Sequence, residues 1–301
     1  VSEIRQSILE TIGRTPLVRI RRLFQKPGVE ILAKLELLNP LGSVKERIAA
    51  AMVEGLEREG KLRPGVTIVE SSSGNTGIGL AMVCAVKGYR LLVTMSRNVS
   101  VERRAMLRAL GAELVLVDGG SDDAWDEADR IAAADPARTV RISQYDTPYN
   151  VAVHYQTTGP EIWEQSGGRV DVLVATLGTT GTIVGAGRYL RERNPKVRIV
   201  AVQPDRKDHA QQGIRTLRYQ RVPPIWDPSA VDATLEVGDE EAFRLARALA
   251  RQEGIFGGIS CGTAMAGAIR EAERLAEGTI VTIFPDRGER YLSTPLYTKE
   301  G

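Results

Sequence analysis

The feature that most constrains this chain is a recurring sequence unit: a short apolar run, a glycine-containing turn, then an amphipathic stretch. Val66-Thr67-Ile68-Val69-Glu70 leads through Ser71 to Gly77 into a helical pattern over Ile78 to Lys87. Arg90 to Thr94 precedes a helix over Val101 to Leu110, and Glu113 to Val117 precedes one over Asp122 to Ala134. Asp171 to Thr176 is followed by Ile183 to Glu192, then by Val197 to Val202. A helix over Thr263 to Ala276 leads into the last strand, Thr279 to Phe284. Strands alternating with helices predict mostly parallel sheets in an α/β fold. The strand runs are nearly all apolar rather than alternating, as strands covered on both faces should be.

At 301 residues the chain sits where one core stops growing, so two domains are expected. Polar and turn residues interrupt the pattern at Gln144 to Tyr149, a weak boundary. Pro204 to Pro228 shows no period, and its length and basic residues mark it as a functional loop. Forty Lys+Arg against 38 Asp+Glu leave a net charge of +2 without a basic stripe, so no nucleic acid is expected as partner. Two cysteines and two histidines form no close-spaced ligand set, so no metal is expected. No apolar run reaches bilayer length, and Val1 to Arg5 is a polar start without a signal-peptide core. Those readings place the protein in the cytoplasm with no membrane partner.

Three glycine-rich segments carry chemistry. In Asn39-Pro40-Leu41-Gly42-Ser43-Val44-Lys45-Glu46-Arg47, Ser43 and Glu46 read as a capping box, which puts Lys45 in a first helical turn. A lysine there faces the positive end of the helix dipole, and that cationic setting lowers its pKa and leaves more nucleophilic amine. Ser71-Ser72-Ser73-Gly74-Asn75-Thr76-Gly77 offers hydroxyls and N–H groups at a helix start. It lacks the lysine of a nucleoside-triphosphate loop, so a carboxylate fits it better. Gly178-Thr179-Thr180-Gly181-Thr182 follows a strand and opens a helix, which suits one phosphate monoester rather than a pyrophosphate. A reactive lysine, a carboxylate loop and a phosphate cup together point to pyridoxal 5'-phosphate acting on amino acids.

These segments resemble the cysteine synthase (O-acetylserine sulfhydrylase) family. The resemblance runs from Ile12-Gly13-Arg14-Thr15-Pro16-Leu17 to Gly288-Glu289-Arg290-Tyr291-Leu292-Ser293-Thr294. Thr157 to Trp163, Gly178 to Thr182 and Asp286 to Tyr291 are similar to the B-type isozyme. The resemblance implies the tryptophan synthase β-like fold (fold type II), with two three-layer domains. Residues 1–12 and 35–145 would form the smaller, and 13–34 and 146–301 the larger. It implies Lys45 as the Schiff-base lysine and general base, Asn75 on the cofactor's ring hydroxyl, and Gly178, Thr179, Thr180, Gly181 and Thr182 on its phosphate. Ser260, in Gly258-Ile259-Ser260-Cys261-Gly262, would face the pyridine nitrogen and leave it largely unprotonated, which suits β-elimination. Ser72, Ser73, Gly74, Thr76 and Gln144 would take the substrate carboxylate, and its capture would close the smaller domain over the site.

The implied reaction is β-replacement through an α-aminoacrylate, giving L-cysteine or S-sulfocysteine from an O-activated serine and sulfide or thiosulfate. Arg215 stands where B-type relatives carry a basic residue near the entrance, so O-phosphoserine joins O-acetylserine as an acceptor. A homodimer is implied. Docking of a serine acetyltransferase tail, a role of some relatives, is disfavoured by the B-type likeness. Departures from the family pattern are Ser71-Ser72 for Pro-Thr, Glu46 for Asp, and Ser96-Arg97-Asn98 for Pro-Glu-Asn or Pro-Asp-Asn. A cystathionine β-synthase-like or serine/threonine dehydratase-like enzyme is the alternative. Gly258 to Gly262 also satisfies G-x-S-x-G, but no histidine follows His209, which excludes the hydrolase triad. The dinucleotide glycine fingerprint follows no strand. His154, Cys84 and Cys261 read as structural.

Overall fold

The computed structural model describes residues 4–72 and 74–298. Its strands are β1 (Leu17–Arg19), β2 (Val29–Leu35), β3 (Thr67–Ser71), β4 (Arg90–Ser96), β5 (Glu113–Val117), β6 (Thr139–Arg141), β7 (Val172–Thr176), β8 (Arg198–Pro204), β9 (Ala233–Val237) and β10 (Gly278–Phe284). The helices that matter for the site are α1 (Lys45–Arg58), α2 (Asn75–Lys87), α3 (Val101–Ala109), α4 (Ser121–Ala134), α5 (Pro148–Val153), α6 (Gly159–Gln165), α7 (Gly181–Arg193), α8 (Asp239–Ala248) and α9 (Ile259–Arg274).

Two sheets result. Six strands run in the order β1-β2-β10-β7-β8-β9, parallel except for the β1–β2 pair, and four run β5-β4-β3-β6, all parallel. Alternate residues of the same strand serve opposite faces. In the larger sheet Val172, Val174, Val200 and Val202 pack under α8 and α9, whereas Leu173, Ala175, Ile199 and Ala201 pack under α6 and α7. In the smaller sheet Ile68, Leu91, Val93 and Met95 meet α1, α2 and α3. Thr94, on its other face, donates to the Ala124 carbonyl of α4 (2.6 Å).

The expected strands and helices all form, mostly with ends shifted by one to four residues. Four strands escape the apolar-run criterion. β9 is a sheet edge and alternates (Thr234 and Glu236 exposed), and β1 and β6 are three residues long. β2 carries two charged residues inside a buried strand. Lys34 there is fully buried because its amine donates to the Thr15 carbonyl (2.5 Å), Glu161 (2.7 Å) and Gln165 (3.0 Å). The stretch from 205 to 227 forms neither helix nor strand, matching its missing period.

Candidate active site

Parallel strands end together, so the loops after them share one edge of each sheet, the edge where α/β folds place ligands. The loops after β3, β7 and β10 meet the first turn of α1 around a cavity of about 380 Å³. Lys45, Ser72, Asn75, Thr180, Ser260 and Asp286 are among its walls.

Lys45 is the first residue of α1. Half of the expected capping box forms: the Glu46 carboxylate accepts from the Ser43 N–H (2.7 Å) and also from that of Leu41 (2.9 Å). The Ser43 hydroxyl accepts from the Lys45 N–H (3.3 Å), not from that of Glu46. Gly42, at φ +86°, lies so close to the Arg287 side chain that a Cβ would stand 2.7 Å from it. The turn is tied to the strand-end loop by the Val44 N–H, which donates to the Pro285 carbonyl (2.8 Å). The Lys45 amine is brought down to about 8. The direction matches the sequence expectation and the cause differs: burial disfavours the ammonium, against the pull of Asp286 and Glu36.

The serine-rich loop is organised by Ser72, whose hydroxyl accepts the N–H groups of Gly74 (3.1 Å) and Gly77 (3.0 Å). Ser73 lies outside the described residues. Gly74 adopts φ +134° and backs onto Arg103 rather than lining the cavity. Thr76 donates to the Gln144 side-chain carbonyl (2.6 Å), and Gln144 donates to the Ser71 carbonyl (2.8 Å), so both stand on the cavity wall as one unit. Asn75 opens α2; its amide nitrogen donates to Asp286 (2.7 Å), while its Oδ1 is buried with no partner.

After β7, Gly178, Thr179, Thr180 and Thr182 also line the cavity. Thr180 takes a left-handed backbone (φ +74°), unusual for a threonine, and its hydroxyl is buried without a partner. Gly181 faces away: a Cβ there would lie 2.0 Å from Asn150 Oδ1. His154 bridges Thr182 Oγ1 (3.1 Å at Nε2) and Thr158 Oγ1 (2.8 Å at Nδ1). Burial, reinforced by Arg47 and Lys45, brings its pKa down to about 3, so it is neutral. Cys84 and Cys261 are buried and unpaired. Arg215 is on the wall too, with its guanidinium already bonded to Asp122 (3.0 Å) and Ser121 (3.2 Å).

Sequence reasoning assigned no role to Asp286. It accepts from Tyr291 (2.6 Å), Asn75 (2.7 Å) and Ser260 (3.3 Å), with the Arg103 guanidinium 3.5 Å away. Arg103 also donates to Tyr291 (2.5 Å). The signal was an acid two residues past the end of a central apolar strand, where functional groups gather. Among the described residues no group of His, Cys, Asp or Glu is arranged to hold a metal, and no helix is long and apolar enough to cross a membrane.

A reactive lysine at a helix start and two residues with unpartnered buried oxygens, all on the wall of one cavity, define a cofactor-dependent enzyme of amino-acid chemistry. The chain belongs to the pyridoxal-phosphate dependent enzyme family, whose profile matches residues 8–286. Within that family it stands with the cysteine synthases. Cysteine synthase B of Escherichia coli (strain K12) is 44% identical over 293 residues, 97% of this chain and 96% of that one. A cysteine synthase (OASS) structure from Entamoeba histolytica superposes with a TM-score of 0.93 at 38% identity, covering 99% of this chain and 92% of that one. O-ureido-L-serine synthase also gives 0.93, at 41% identity and 99% and 98% coverage. The fold is that of fold type II, and pyridoxal 5'-phosphate is the cofactor. The residues present fit it: Thr180 Oγ1 and Asn75 Oδ1 are buried polar atoms left for a partner that the protein itself does not supply.

Proposed function

We propose that this chain makes L-cysteine by β-replacement of the acetoxy group of O-acetylserine with sulfide. The observation that carries the reading is the convergence of Lys45, Ser72, the Thr76–Gln144 pair and the Thr180 turn on one cavity.

Lys45, Asn75, Ser260 and the turn Gly178 to Thr182 would hold the cofactor, the last through its phosphate at the start of α7. When bound, pyridoxal phosphate supplies an electron sink for the bonding pair released at the substrate Cα. Lys45 Nζ takes the Cα proton and returns it, a task suited to an amine whose pKa is near 8. Ser72 and Thr76, which line the cavity at the start of α2, would receive the substrate carboxylate at the positive end of the helix dipole; Ser73 keeps the role expected from sequence, and Gly74, turned onto Arg103, would serve the loop's turn. Gln144 holds Thr76 in place for that contact. The cavity walls keep water from the reacting carbon.

The finer reading adds O-phosphoserine as a second, weaker acceptor and thiosulfate as a second donor: Arg215 on the cavity wall is the cation either anion would meet, and Asp122 already partners it. It places a homodimer in the cytoplasm, supported by the family likeness and by two cysteines that stay buried and unpaired. It assigns residues 1–12 and 35–145 to one domain and 13–34 and 146–301 to the other. The membership of β1 and β2 in the larger sheet, ahead of the smaller sheet in the chain, supports that division.

The test is a visible absorbance spectrum of the purified protein. A yellow band that moves to longer wavelength with O-acetylserine and returns with sulfide, as cysteine forms, is expected, and Lys45→Ala should lose both the change and the product. A protein that stays colourless after pyridoxal phosphate is added, or a yellow one indifferent to O-acetylserine, overturns the reading.

A further inference from the structure

We propose that Asp122 sets the charge of the substrates this cavity accepts, by acting as a built-in counter-ion to Arg215. The inference deepens the cysteine synthase reading and rests on it for its kinetic arm.

Arg215 comes from the long segment between β8 and β9, and its side chain is only 5% exposed. It lies over the ring of Tyr145 (4.8 Å), which stacks on Trp125 of α4 (4.2 Å). That packing fixes the guanidinium in the cavity wall. Its charge is already answered. Nη1 donates to Asp122 Oδ1 (3.0 Å), and the other Asp122 oxygen accepts from the Arg221 N–H (3.4 Å). Asp122 itself does not line the cavity; it sits behind Arg215 in the first turn of α4, whereas its neighbour Ser121 does line it.

An arriving dianion therefore meets a neutralised cation. It gains from Arg215 only by competing with a carboxylate already held at bonding distance; Arg215 is buried while the Asp122 side chain is 40% exposed, so solvent weakens that competition without removing it. The acetoxy group is neutral and loses nothing by that competition. Asp122 is thus a specificity-determining residue that works through another side chain: it keeps the cavity fitted to uncharged leaving groups. Arg221 and Asp126 form a second ion pair (2.9 Å) that ties the same segment to the same helix, and neither lines the cavity. Arg215 also donates to the Arg221 carbonyl (3.2 Å), so breaking that pair tests whether attachment of the segment, rather than the charge of Asp122, sets the exposure of Arg215.

The experiment compares kcat/KM for O-phosphoserine and O-acetylserine in the wild-type holoenzyme, Asp122→Asn and Asp126→Asn. Asparagine keeps the hydrogen bond to Arg215 and removes the charge. The expected result is a rise of about tenfold or more in the O-phosphoserine to O-acetylserine ratio for Asp122→Asn. The ratio for Asp126→Asn should stay within about twofold of wild type. Inorganic phosphate, titrated into each holoenzyme by calorimetry, should bind Asp122→Asn more tightly than wild type. An unchanged ratio and phosphate affinity in Asp122→Asn overturns the proposal, as does an equal rise in Asp126→Asn, which would assign the effect to attachment of the segment. If Asp122→Asn does not yield folded holoenzyme, Asp122→Ser removes the same charge at a helix start and is read the same way. A wild-type holoenzyme that forms no cysteine from O-acetylserine overturns the enzymatic reading instead, and the phosphate titration alone then decides the role of Asp122.

Discussion

At Lys45 two effects oppose one another: burial drives the proton off the amine, while Asp286 and Glu36 hold it on. Burial wins and the pKa falls to about 8. The free amine is the nucleophile toward an aldehyde, so uptake of pyridoxal phosphate by the apoprotein should accelerate as pH rises through about 8 and then level off. Following the yellow band at a series of pH values checks this; a rate still climbing at pH 10 would mean an ordinary lysine. The chain's local pattern carried the position of Lys45 at a helix start, and with it the direction of the shift. It did not carry the cause, because desolvation depends on loops from β3, β7 and β10 that close around the amine. The same holds for Asp286, whose partners Asn75, Ser260 and Tyr291 come from three separate stretches.

Between elements, α8 and α9 approach closely at Gly262. A Cβ on Gly262 would lie 1.9 Å from the Ala242 carbonyl oxygen, and backbone cannot rotate out of the way as a side chain can. Gly262→Ala should therefore destabilise the protein by about 2–3 kcal/mol, the cost of forcing atoms into a packed core. Urea unfolding should show a lower midpoint with an unchanged slope. Gly262 follows Ser260 by two residues, so the same change should also weaken cofactor retention by tilting the first turn of α9. Central strands and their helices were legible because burial on both faces demands unbroken apolar runs. The edge strand β9 and the charged strand β2 were not, since one alternates and the other hides its lysine in hydrogen bonds that only folding creates.

Across the whole molecule, the Arg103–Asp286–Tyr291 cluster joins α3, packed on the smaller sheet, to the segment after β10 of the larger one. All three side chains are buried. Removing the guanidinium takes a buried partner from both Asp286 and Tyr291, so Arg103→Met should cost about 3–5 kcal/mol. Thermal unfolding measures it, and a melting temperature close to wild type would show that the cluster contributes little. The cavity proposed for the cofactor is lined by the same three residues. Stripping pyridoxal phosphate should lower the melting temperature, and restoring it at about 100 times its Kd should return about 2.7 kcal/mol.

By itself the sequence determined the class of fold, the order of its principal strands and helices, and the three segments whose residues line the cavity. Each of these rests on local pattern: apolar runs set strands, glycine and hydroxyl residues set turns, and a capping residue sets where a helix begins. Tertiary structure alone decided which charges are answered. Asp286 gathers three hydrogen bonds, His154 is held neutral between two threonines, and Arg215 is paired with Asp122 from a helix 93 residues away in the chain. Coulomb and desolvation energies depend on distance in space and on what excludes water, and neither quantity exists until the two sheets have closed on one another.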